Sequence, residues 1–552
     1  MNVILGGGDV GKTTVLDAIG LLLSPTNPTT LSDADYHQRD LTAGFMIEAV
    51  MWLSEETLVN QQSKPSWPWE WNGKEPAVPA LGEGGEPGKP VYVLRVSGSP
   101  DLELLYEIVQ PSGDTDHLSV SLRRAIGLVR LSGDDRNDRD LRLVQGSALD
   151  RLLSDKALRS RLGSKLAKSD VKEALEDKAK KTLTDLDNSF KQKTLPHNLD
   201  LSITGAQGIT ITALIGLTAD REGVQLPLAS WGAGTRRLAA LAIAEQDQNA
   251  SPITLVDEVE RGLEPYRQRT LIQKLQATQS QVFATTHSAP VISAATNASL
   301  WYIDHGGRIG PLAGKPVVNH QKNSPETFLA RLAVVAEGVT EIGFVLALLE
   351  KALGLPPDQH GVHVSDGEGH EATLGLLETL SASGLRFGCF ADDEGKHPER
   401  WKRLQEKLGP LLFKWKAGCL EENIIRAVPA DKLEALIRDP NDELTGVRLR
   451  ILADRLGITE KDFNTVRQSA GNGFQSLIIG AAAGSVPPGK DAEAKIFKKH
   501  GQNWFKTVHG GRELAGKFFA FGLWPEFKDR FLPFLNGIRR AVGLAELPDL
   551  PL

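Results

Sequence analysis

Short apolar runs alternate along the chain with segments whose apolar residues recur at helical spacing. The first apolar run is Val3–Leu5, and a helical pattern follows over Val15–Leu23. Further strands are predicted at Phe45–Leu53, Val91–Val96, Leu102–Val109, Leu118–Arg123, Leu199–Thr204 and Gly208–Leu217, and later at Leu332–Ala336, Gly361–Val364 and Phe387–Ala391. Strands that alternate with helices in this way indicate an α/β fold class with two sheets.

Changes in composition predict where the domains divide. Residues 63–89 are rich in Pro, Gly and Trp, and we expect a long surface loop there that Trp67, Trp69 and Trp71 fasten to the body. Residues 147–195 are helical and strongly charged, which is typical of a protruding arm, and residues 305–324 read as a break between domains. We therefore expect 1–146 and 196–310 to form one domain, 147–195 to be a helical insert, and 325–552 to form a second domain with helices at its end.

Composition and charge exclude several classes of protein. The 552 residues are 41% apolar, yet no window approaches about 18 consecutive apolar residues, so a membrane span is not expected. Two cysteines, Cys389 and Cys419, exclude a disulfide scaffold, and without a signal peptide the chain is expected in the cytoplasm. The net charge is −7, but residues 151–200 hold 12 Lys and Arg against 8 Asp and Glu, and residues 486–552 hold 11 against 7. These basic segments are compatible with a local groove that binds nucleic acid, despite the negative net charge.

A glycine-rich loop after the first strand has the spacing of a phosphate-binding loop. The stretch Gly6–Thr13 fits G-x-x-x-x-G-K-[ST] in full, between a strand and a helix as the motif requires. In such a loop, backbone N–H groups surround the phosphates, Lys12 reaches the β- and γ-phosphates, and Thr13 holds Mg²⁺. The residues expected at ATP are Gly6, Gly8, Asp9, Gly11, Lys12, Thr13 and Thr14.

Two later strands end in residues that would complete an ATPase site. Ile253–Val256 is followed by Asp257 and Glu258, the order of a Walker B element, in which Asp257 would complete the Mg²⁺ shell and Glu258 would polarise the attacking water. About thirty residues on, an apolar run ends at His287, a candidate switch residue at the γ-phosphate. Gln38 lies where a Q-loop could fall.

The stretch Ser230-Trp-Gly232-Ala-Gly234-Thr-Arg236-Arg237, 27 residues before Asp257, resembles the signature of ABC ATPases as RecF/SMC-like proteins carry it. The basic residue stands one place later here than in that pattern. In the family, the amides of the Ser230 and Gly232 positions bind the γ-phosphate of ATP held by the partner subunit. The resemblance therefore implies a homodimer.

Acidic residues cluster after three apolar runs in the second half of the chain. Glu337 and Glu341 follow Leu332–Ala336, Asp392-Asp393-Glu394 follow Phe387–Ala391, and Glu421-Glu422 come later. Acids at the carboxyl ends of parallel strands converge at the ligand-binding edge of the sheet, and together they need a cation. Oxygen ligands suit Mg²⁺ or Mn²⁺, and a pair of such ions supports phosphodiester cleavage.

The order of these motifs resembles the OLD (overcoming lysogenisation defect) nucleases over essentially the whole chain. The resemblance implies an N-terminal ABC/RecF-like P-loop ATPase with a helical dimerisation insert and a C-terminal, Rossmann-like Toprim domain. Residues 134–150 look typical of class 2 members, which are related to the Gabija nuclease subunit and are encoded beside a UvrD-like helicase. The implied activity is metal-dependent nicking or cleavage of DNA, regulated by ATP, in phage defence or DNA processing.

Site residues carry over from that resemblance by position. Glu337 and Glu341 match the first Toprim acids. Asp392 and Glu394 match the D-x-D pair, in which Asp393 could substitute. Glu421 matches the later acid, and Glu422 is the alternative for that position. These acids would hold two Mg²⁺ or Mn²⁺ ions, beside one Mg²⁺ at ATP. The family's C-terminal catalytic lysine is Lys506 or Lys517, and distance from the chain end favours Lys517.

Three other functions compete with this interpretation. A RecF/SMC-like ATP-gated DNA clamp without nuclease activity is the main alternative. A Toprim strand-transfer enzyme needs a nucleophilic tyrosine, and none of the five tyrosines lies beyond the domain boundary. An ABC transporter subunit would leave the acidic half without a role.

Overall fold

The computed structural model describes residues 1–26, 31–53, 66–79, 88–131, 217–246, 253–278, 280–392, 395–439, 441–487 and 493–551, with single positions between 141 and 188. Two compact units are present, the first formed by residues 13–285 and the second by 2–12 and 286–552. The expected helical arm, the strands expected at 199–204 and 208–217, and Asp393 and Glu394 lie outside the described residues. The domain boundaries drawn from the sequence stay a prediction.

The chain begins with the strand and helix that the sequence predicts. Strand β1 (Asn2–Gly6) is buried along most of its length, and helix α1 (Lys12–Leu22) starts directly after the glycine-rich loop. The chain passes from the second unit to the first between Lys12 and Thr13.

An antiparallel sheet occupies the first part of the first unit. Its strands are β2 (Phe45–Met51), β3 (Trp69–Trp71), β4 (Pro76–Ala77), β5 (Lys89–Gly98), β6 (Leu104–Val109) and β7 (Thr115–His117), in the order β4-β3-β5-β6-β7 with β2 also paired to β5. Part of the segment expected as a loop is thus a strand, and Trp69 anchors it by donating from Nε1 to the carbonyl of Val109 at 2.7 Å.

The strand predicted at Leu118–Arg123 is wrong, because these residues lead into helix α2 (Val120–Ile126). Ser119 caps the helix by accepting a hydrogen bond from the N–H of Leu122 at 3.2 Å. A serine side chain that binds its own following turn favours a helix start over an extended strand.

A parallel set of strands completes the first unit. β8 (Leu128–Leu131), β11 (Ile253–Val256) and β12 (Val282–Thr285) run parallel in the order β8-β11-β12, and β9 (Thr218–Arg221) with β10 (Val224–Pro227) forms a hairpin. Helices α3 (Ala233–Gln246) and α4 (Pro265–Ala277) lie between them in sequence. The apolar residues of β11 are all buried, as expected of a strand inside a parallel sheet.

In the second unit, β1 pairs in parallel with β13 (Ser299–Ile303), which pairs antiparallel with β14 (Ile309–Leu312). Helices α5 (Ala289–Ala294) and α6 (Lys315–Asn323) flank this hairpin. The segment 305–324, which reads as a break in sequence, therefore carries a strand and a helix. Gln321 fastens α6 to α5 by donating from Nε2 to the carbonyls of Ile292 and Ala295 at 2.8 and 2.7 Å.

A second parallel sheet of four strands follows, and the sequence predicts three of them; the fourth, at residues 412–414, is not among the predicted strands. The sheet contains β15 (Leu332–Ala336), β16 (Val362–Asp366), β17 (Phe387–Ala391) and β18 (Leu412–Lys414) in the order β16-β15-β17-β18. All residues of β15 and β17 are buried, so the two acid-bearing strands lie side by side at the centre of the sheet.

Helices surround this sheet and extend to the C-terminus. They are α7 (Val339–Leu353), α8 (His370–Ser383), α9 (Pro398–Leu408), α10 (Leu420–Ala427), α11 (Leu433–Ile437), α12 (Thr445–Leu456), α13 (Phe463–Ala470), α14 (Phe474–Ala483), α15 (Ala494–His500), α16 (Val508–Ala520) and α17 (Trp524–Ala541). Phe344 of α7, Phe390 of β17, Phe518 of α16 and Phe531 of α17 pack together in one apolar core. In the part of the chain that the structure describes, no helix has both the length and the apolarity of a membrane span.

Helices α7 and α16 cross where each has a glycine. A Cβ added to Gly511 would lie 2.1 Å from the carbonyl oxygen of Thr340, and one added to Gly343 would lie 2.0 Å from that of Val508. Both neighbours are backbone atoms, which cannot rotate away. This crossing fixes α16, and the loop before it, against α7, the helix that follows Glu337.

Gly511→Ala is expected to destabilise the second unit by about 1–3 kcal/mol, because the new methyl group forces the two helices apart. Gly516→Ala is the matched control on the same helix, since nothing lies within 4 Å of its Cβ position. It should stabilise by about 0.5–1 kcal/mol through helix propensity. Thermal unfolding measures both, and equal shifts for the two variants would contradict a close crossing.

Candidate functional site

The glycine-rich loop folds back around the ammonium group of Lys12. Lys12 is buried, and its Nζ donates to the carbonyls of Gly6 and Gly7 at 3.3 and 2.6 Å. Gly6, Asp9 and Gly11 have φ values of 155°, 56° and 96°, so the loop uses positive-φ backbone at three positions. Gly8 has open space around its Cβ position, and Thr13 and Thr14 are exposed at the start of α1.

Thr13 and the Walker B aspartate meet within the first unit. The Thr13 hydroxyl donates to Oδ1 of Asp257 at 3.3 Å, and the same oxygen accepts from the Thr285 hydroxyl at 2.6 Å. Thr285 in turn accepts from the N–H of Glu258 at 2.9 Å. Residues distant in sequence thus gather one hydroxyl and one carboxylate, the pair that holds Mg²⁺ in P-loop ATPases.

Helix α3 is attached to the Walker B turn by Arg237, a role that the sequence does not reveal. Its guanidinium is buried and donates to the main-chain oxygens of Asp257, Glu258 and Arg261. Gly234 allows the approach, since a Cβ there would lie 2.3 Å from the carbonyl of Gly262.

The other expected ATP-site residues lie at the surface. Ser230 and Gly232 are exposed just before α3, and the Ser230 hydroxyl donates to the carbonyl of Pro227 at 2.7 Å. His287 is exposed directly after β12 and Thr286. Glu258 has a φ of 48° and faces Arg261 at 3.3 Å. Gln38 sits exposed in a tight turn with a φ of 53°.

Four acids of the second unit come together at the carboxyl ends of β15 and β17: Glu337, Glu341, Asp392 and Glu421, here called the carboxylate cluster. The N–H of Asp392 donates to Oε2 of Glu337 at 3.1 Å. Oδ1 of Asp392 accepts from the N–H of Leu420, at the start of α10, at 2.9 Å. Two neighbouring strands and a helix N-terminus therefore hold the cluster.

Burial and the crowded charges of the carboxylate cluster raise the pKa values of Asp392 and Glu341. Burial, followed by Glu421 and Glu337, raises the pKa of Asp392 to about 8. Burial and the charges of Asp392, Glu421 and Glu337 raise the pKa of Glu341 well above its usual range. These raised pKa values mean that the cluster resists full ionisation by itself, and a divalent cation bound there would compensate the negative charges.

Glu421 and Glu422 have different surroundings. Glu421 is 1% exposed and accepts from the Thr340 hydroxyl at 3.1 Å, whereas Glu422 pairs with Arg426 one helical turn on at the surface. Only Glu421 belongs to the carboxylate cluster. Thr340, which the sequence did not suggest, stands between Glu337 and Glu341 and orients Glu421.

The two candidate lysines also have different surroundings. The Nζ of Lys517 donates to the carbonyls of Leu436 and Arg438 and to Glu513, at 2.5, 2.6 and 2.7 Å. An ammonium has three donors, so Lys517 has none left for a substrate. Lys506 is exposed and close enough for its charge to lower the pKa of Asp392.

Among the described residues, no group of three or more His, Cys, Asp or Glu side chains has the geometry of a metal site. The described residues do not include Asp393 and Glu394. The case for a cation at the carboxylate cluster therefore rests on its donor chemistry. Buried, mutually repelling oxygen donors are the set that Mg²⁺ and Mn²⁺ compensate.

Comparison with known proteins finds one segment that is similar to a protein-family model. Residues 100–294 match the family model described as "AAA domain, putative AbiEii toxin, Type IV TA system". The match covers roughly a third of the chain and includes Ser230, Asp257, Glu258 and His287, but not the glycine-rich loop. No curated protein sequence matches the chain.

Solved structures give weaker likenesses. The C-terminal region of the Burkholderia pseudomallei OLD protein is 15% identical, with 39% of this chain and 99% of that chain covered and a TM-score of 0.24. RecF is 14% identical, with 56% of this chain and 92% of that chain covered and a TM-score of 0.29. The SMC head domain from Thermotoga maritima is 13% identical, with 57% of this chain and 90% of that chain covered and a TM-score of 0.25. TM-scores this low do not establish a shared fold. The chain thus contains a segment similar to AAA-type ATPase domains, within a mixed α/β protein.

Proposed function

We propose that the chain is an ATP-regulated, divalent-metal-dependent DNA endonuclease of the OLD type. The observation that carries the proposal is the carboxylate cluster, in which two adjacent parallel strands and one helix start bring four acids together. Structural acids at loop starts stay in water, whereas Glu337, Glu341 and Glu421 are buried, and burial and neighbouring charges raise the pKa of Asp392. Residues 325–552 would form the Toprim domain.

The cluster would hold one or two Mg²⁺ or Mn²⁺ ions through Glu337, Glu341, Asp392 and Glu421, with Asp393 and Glu394 as further candidates. Such ions activate water and stabilise the leaving oxygen of a phosphodiester. The chain's own contribution is orientation: the Asp392 N–H holds Glu337, Thr340 holds Glu421, and the start of α10 holds Asp392.

Lys506 would stabilise charge on the scissile phosphate. Its position close to Asp392 and its exposure suit a group that meets the DNA backbone. The basic C-terminal segment would extend that contact.

The ATP site would regulate the nuclease through a homodimer. Lys12, Thr13 and Asp257 would hold ATP and Mg²⁺, with Glu258 and His287 beside the γ-phosphate. Ser230 and Gly232 of a second copy would close over it, and their surface position supports that assignment. The resemblance to class 2 members also suggests a UvrD-like helicase partner.

The test is the fate of supercoiled plasmid with the full chain and Mn²⁺, with and without ATP. We expect nicked or linear DNA from the wild-type protein, and we expect Lys12→Ala to cut but to lose its response to ATP, because the loop no longer holds the phosphates. An unchanged ATP response in Lys12→Ala would remove ATP regulation from the proposal. Retention of intact DNA under every condition would favour the alternative, an ATP-gated DNA clamp.

A further inference from the structure

His370 is a buried histidine for which the folded chain supplies no hydrogen bond. It is the first residue of α8, after the turn that follows β16, and it is 6% exposed. Neither ring nitrogen has a hydrogen-bond partner among the described residues. A neutral imidazole carries one donor and one acceptor, and a buried polar group without partners calls for an explanation in a native protein.

A member of the carboxylate cluster, Glu337, lies close to the ring. Nδ1 of His370 lies 3.8 Å from Oε2 of Glu337, which is longer than a hydrogen bond. The residue before it, Gly369, donates its N–H to the main-chain oxygen of Glu337 at 2.9 Å. That bond keeps the ring and the carboxylate in register.

Packing holds the ring in place on its other sides. The ring of Trp401 is 5.6 Å from it, centre to centre, and His397 stacks on it at 6.3 Å with the planes 21° apart. His397 itself is bound to Glu371 at 2.6 Å. Among the described residues, Oε2 of Glu337 lies 3.8 Å from Nδ1. Glu371 is close too, since the hydrogen bond from His397 and the charge of His370 both lower its pKa.

We propose that His370 is a positioning residue for Glu337: an N–H on Nδ1 holds the carboxylate, directly or through one water, in the orientation that binds a divalent cation. This inference rests on the proposed function, because it assigns a partner to one of its metal ligands. Carboxylates that bind metals are themselves hydrogen-bonded, and loss of that partner costs about 10–100-fold in metal affinity.

The test is Mn²⁺ binding to the full chain, without nucleotide, by isothermal titration calorimetry. His370→Asn puts an amide N–H near the place of Nδ1, and His370→Gln puts one near the place of Nε2, while His370→Leu has no donor. We expect the Asn variant to bind as the wild type does, and the Gln and Leu variants to bind about 10–100-fold more weakly. His397→Asn is the matched control from the same stack and should leave the affinity unchanged.

Two results would overturn the inference. One is equal binding by all three His370 variants and the wild type. The other is equal weakening in all three, since the ring would then act by packing alone, and the Asn–Gln comparison decides this even where the Leu variant fails to fold. Glu337→Gln separates the two levels of the argument: if it binds Mn²⁺ as the wild type does, the cation site of the proposed function fails, whatever the His370 variants show.

Discussion

Glu337→Gln is expected to abolish metal-dependent DNA cleavage, a loss of more than about 100-fold, while the protein keeps its fold. Glutamine has the same shape and keeps an oxygen that can accept the N–H of Asp392, which now donates to Oε2 of Glu337 at 3.1 Å. It removes the negative charge, and with it one anionic ligand of the proposed cation. Because Glu337 is one of the charges that raise the pKa of Asp392, that pKa should fall in the variant.

Two measurements check this prediction beside plasmid cleavage. In the wild type, Mn²⁺ competes with the proton on Asp392, so the affinity should rise as the pH rises to about 8 and level off above it. Glu337→Gln should show weaker binding and a pH dependence shifted to lower pH. Glu422→Gln is the matched control, because Glu422 pairs with Arg426 at the surface. Cleavage by Glu337→Gln at the wild-type rate would exclude the carboxylate cluster as the catalytic site.

The sequence predicted the acid-bearing strands accurately for a physical reason. Strands buried on both faces are continuous apolar runs, and β15 and β17 span the residues expected of them, Leu332–Ala336 and Phe387–Ala391. The polar residue that follows such a run lies at the carboxyl end of its strand, and neighbouring parallel strands have their carboxyl ends on the same side of the sheet. Glu337 and Asp392 could therefore be expected to lie close together. The same reasoning applies to β11 and Asp257 in the first unit.

Partners brought together only by the tertiary fold could not be predicted in this way. Leu118–Arg123 has the apolar content of a strand, but the hydroxyl of Ser119 decides for a helix. In the sequence, Arg237 is only a basic residue in a glycine-rich stretch. Its contact with the carbonyls of the Walker B turn forms only in the folded chain. Nothing local in the sequence distinguishes His370 from a surface histidine.

The choice between Lys506 and Lys517 is the clearest case of such a limit, and it gives a second large expected effect. Lys506→Ala should lower the rate of DNA cleavage about 10²–10³-fold and leave thermal unfolding unchanged. The substitution removes the lysine ammonium group that lies near Asp392, where it would stabilise charge on the DNA phosphate. Lys517→Met should do the opposite. It should retain cleavage at temperatures where it is folded, and it should unfold more easily.

The reason lies in a buried ion network at α12 and α16. Arg448 is fully buried and binds Glu513 through two hydrogen bonds, of 2.8 and 2.7 Å, while Lys517 binds the same carboxylate. Loss of Lys517 leaves the carbonyls of Leu436 and Arg438 without their donor, which costs about 1–3 kcal/mol. Thermal unfolding and plasmid cleavage, measured on both variants, separate the two roles. Loss of cleavage in a folded Lys517→Met, beside an active Lys506→Ala, would return the catalytic role to Lys517 and show that its three acceptors are exchanged for a phosphate.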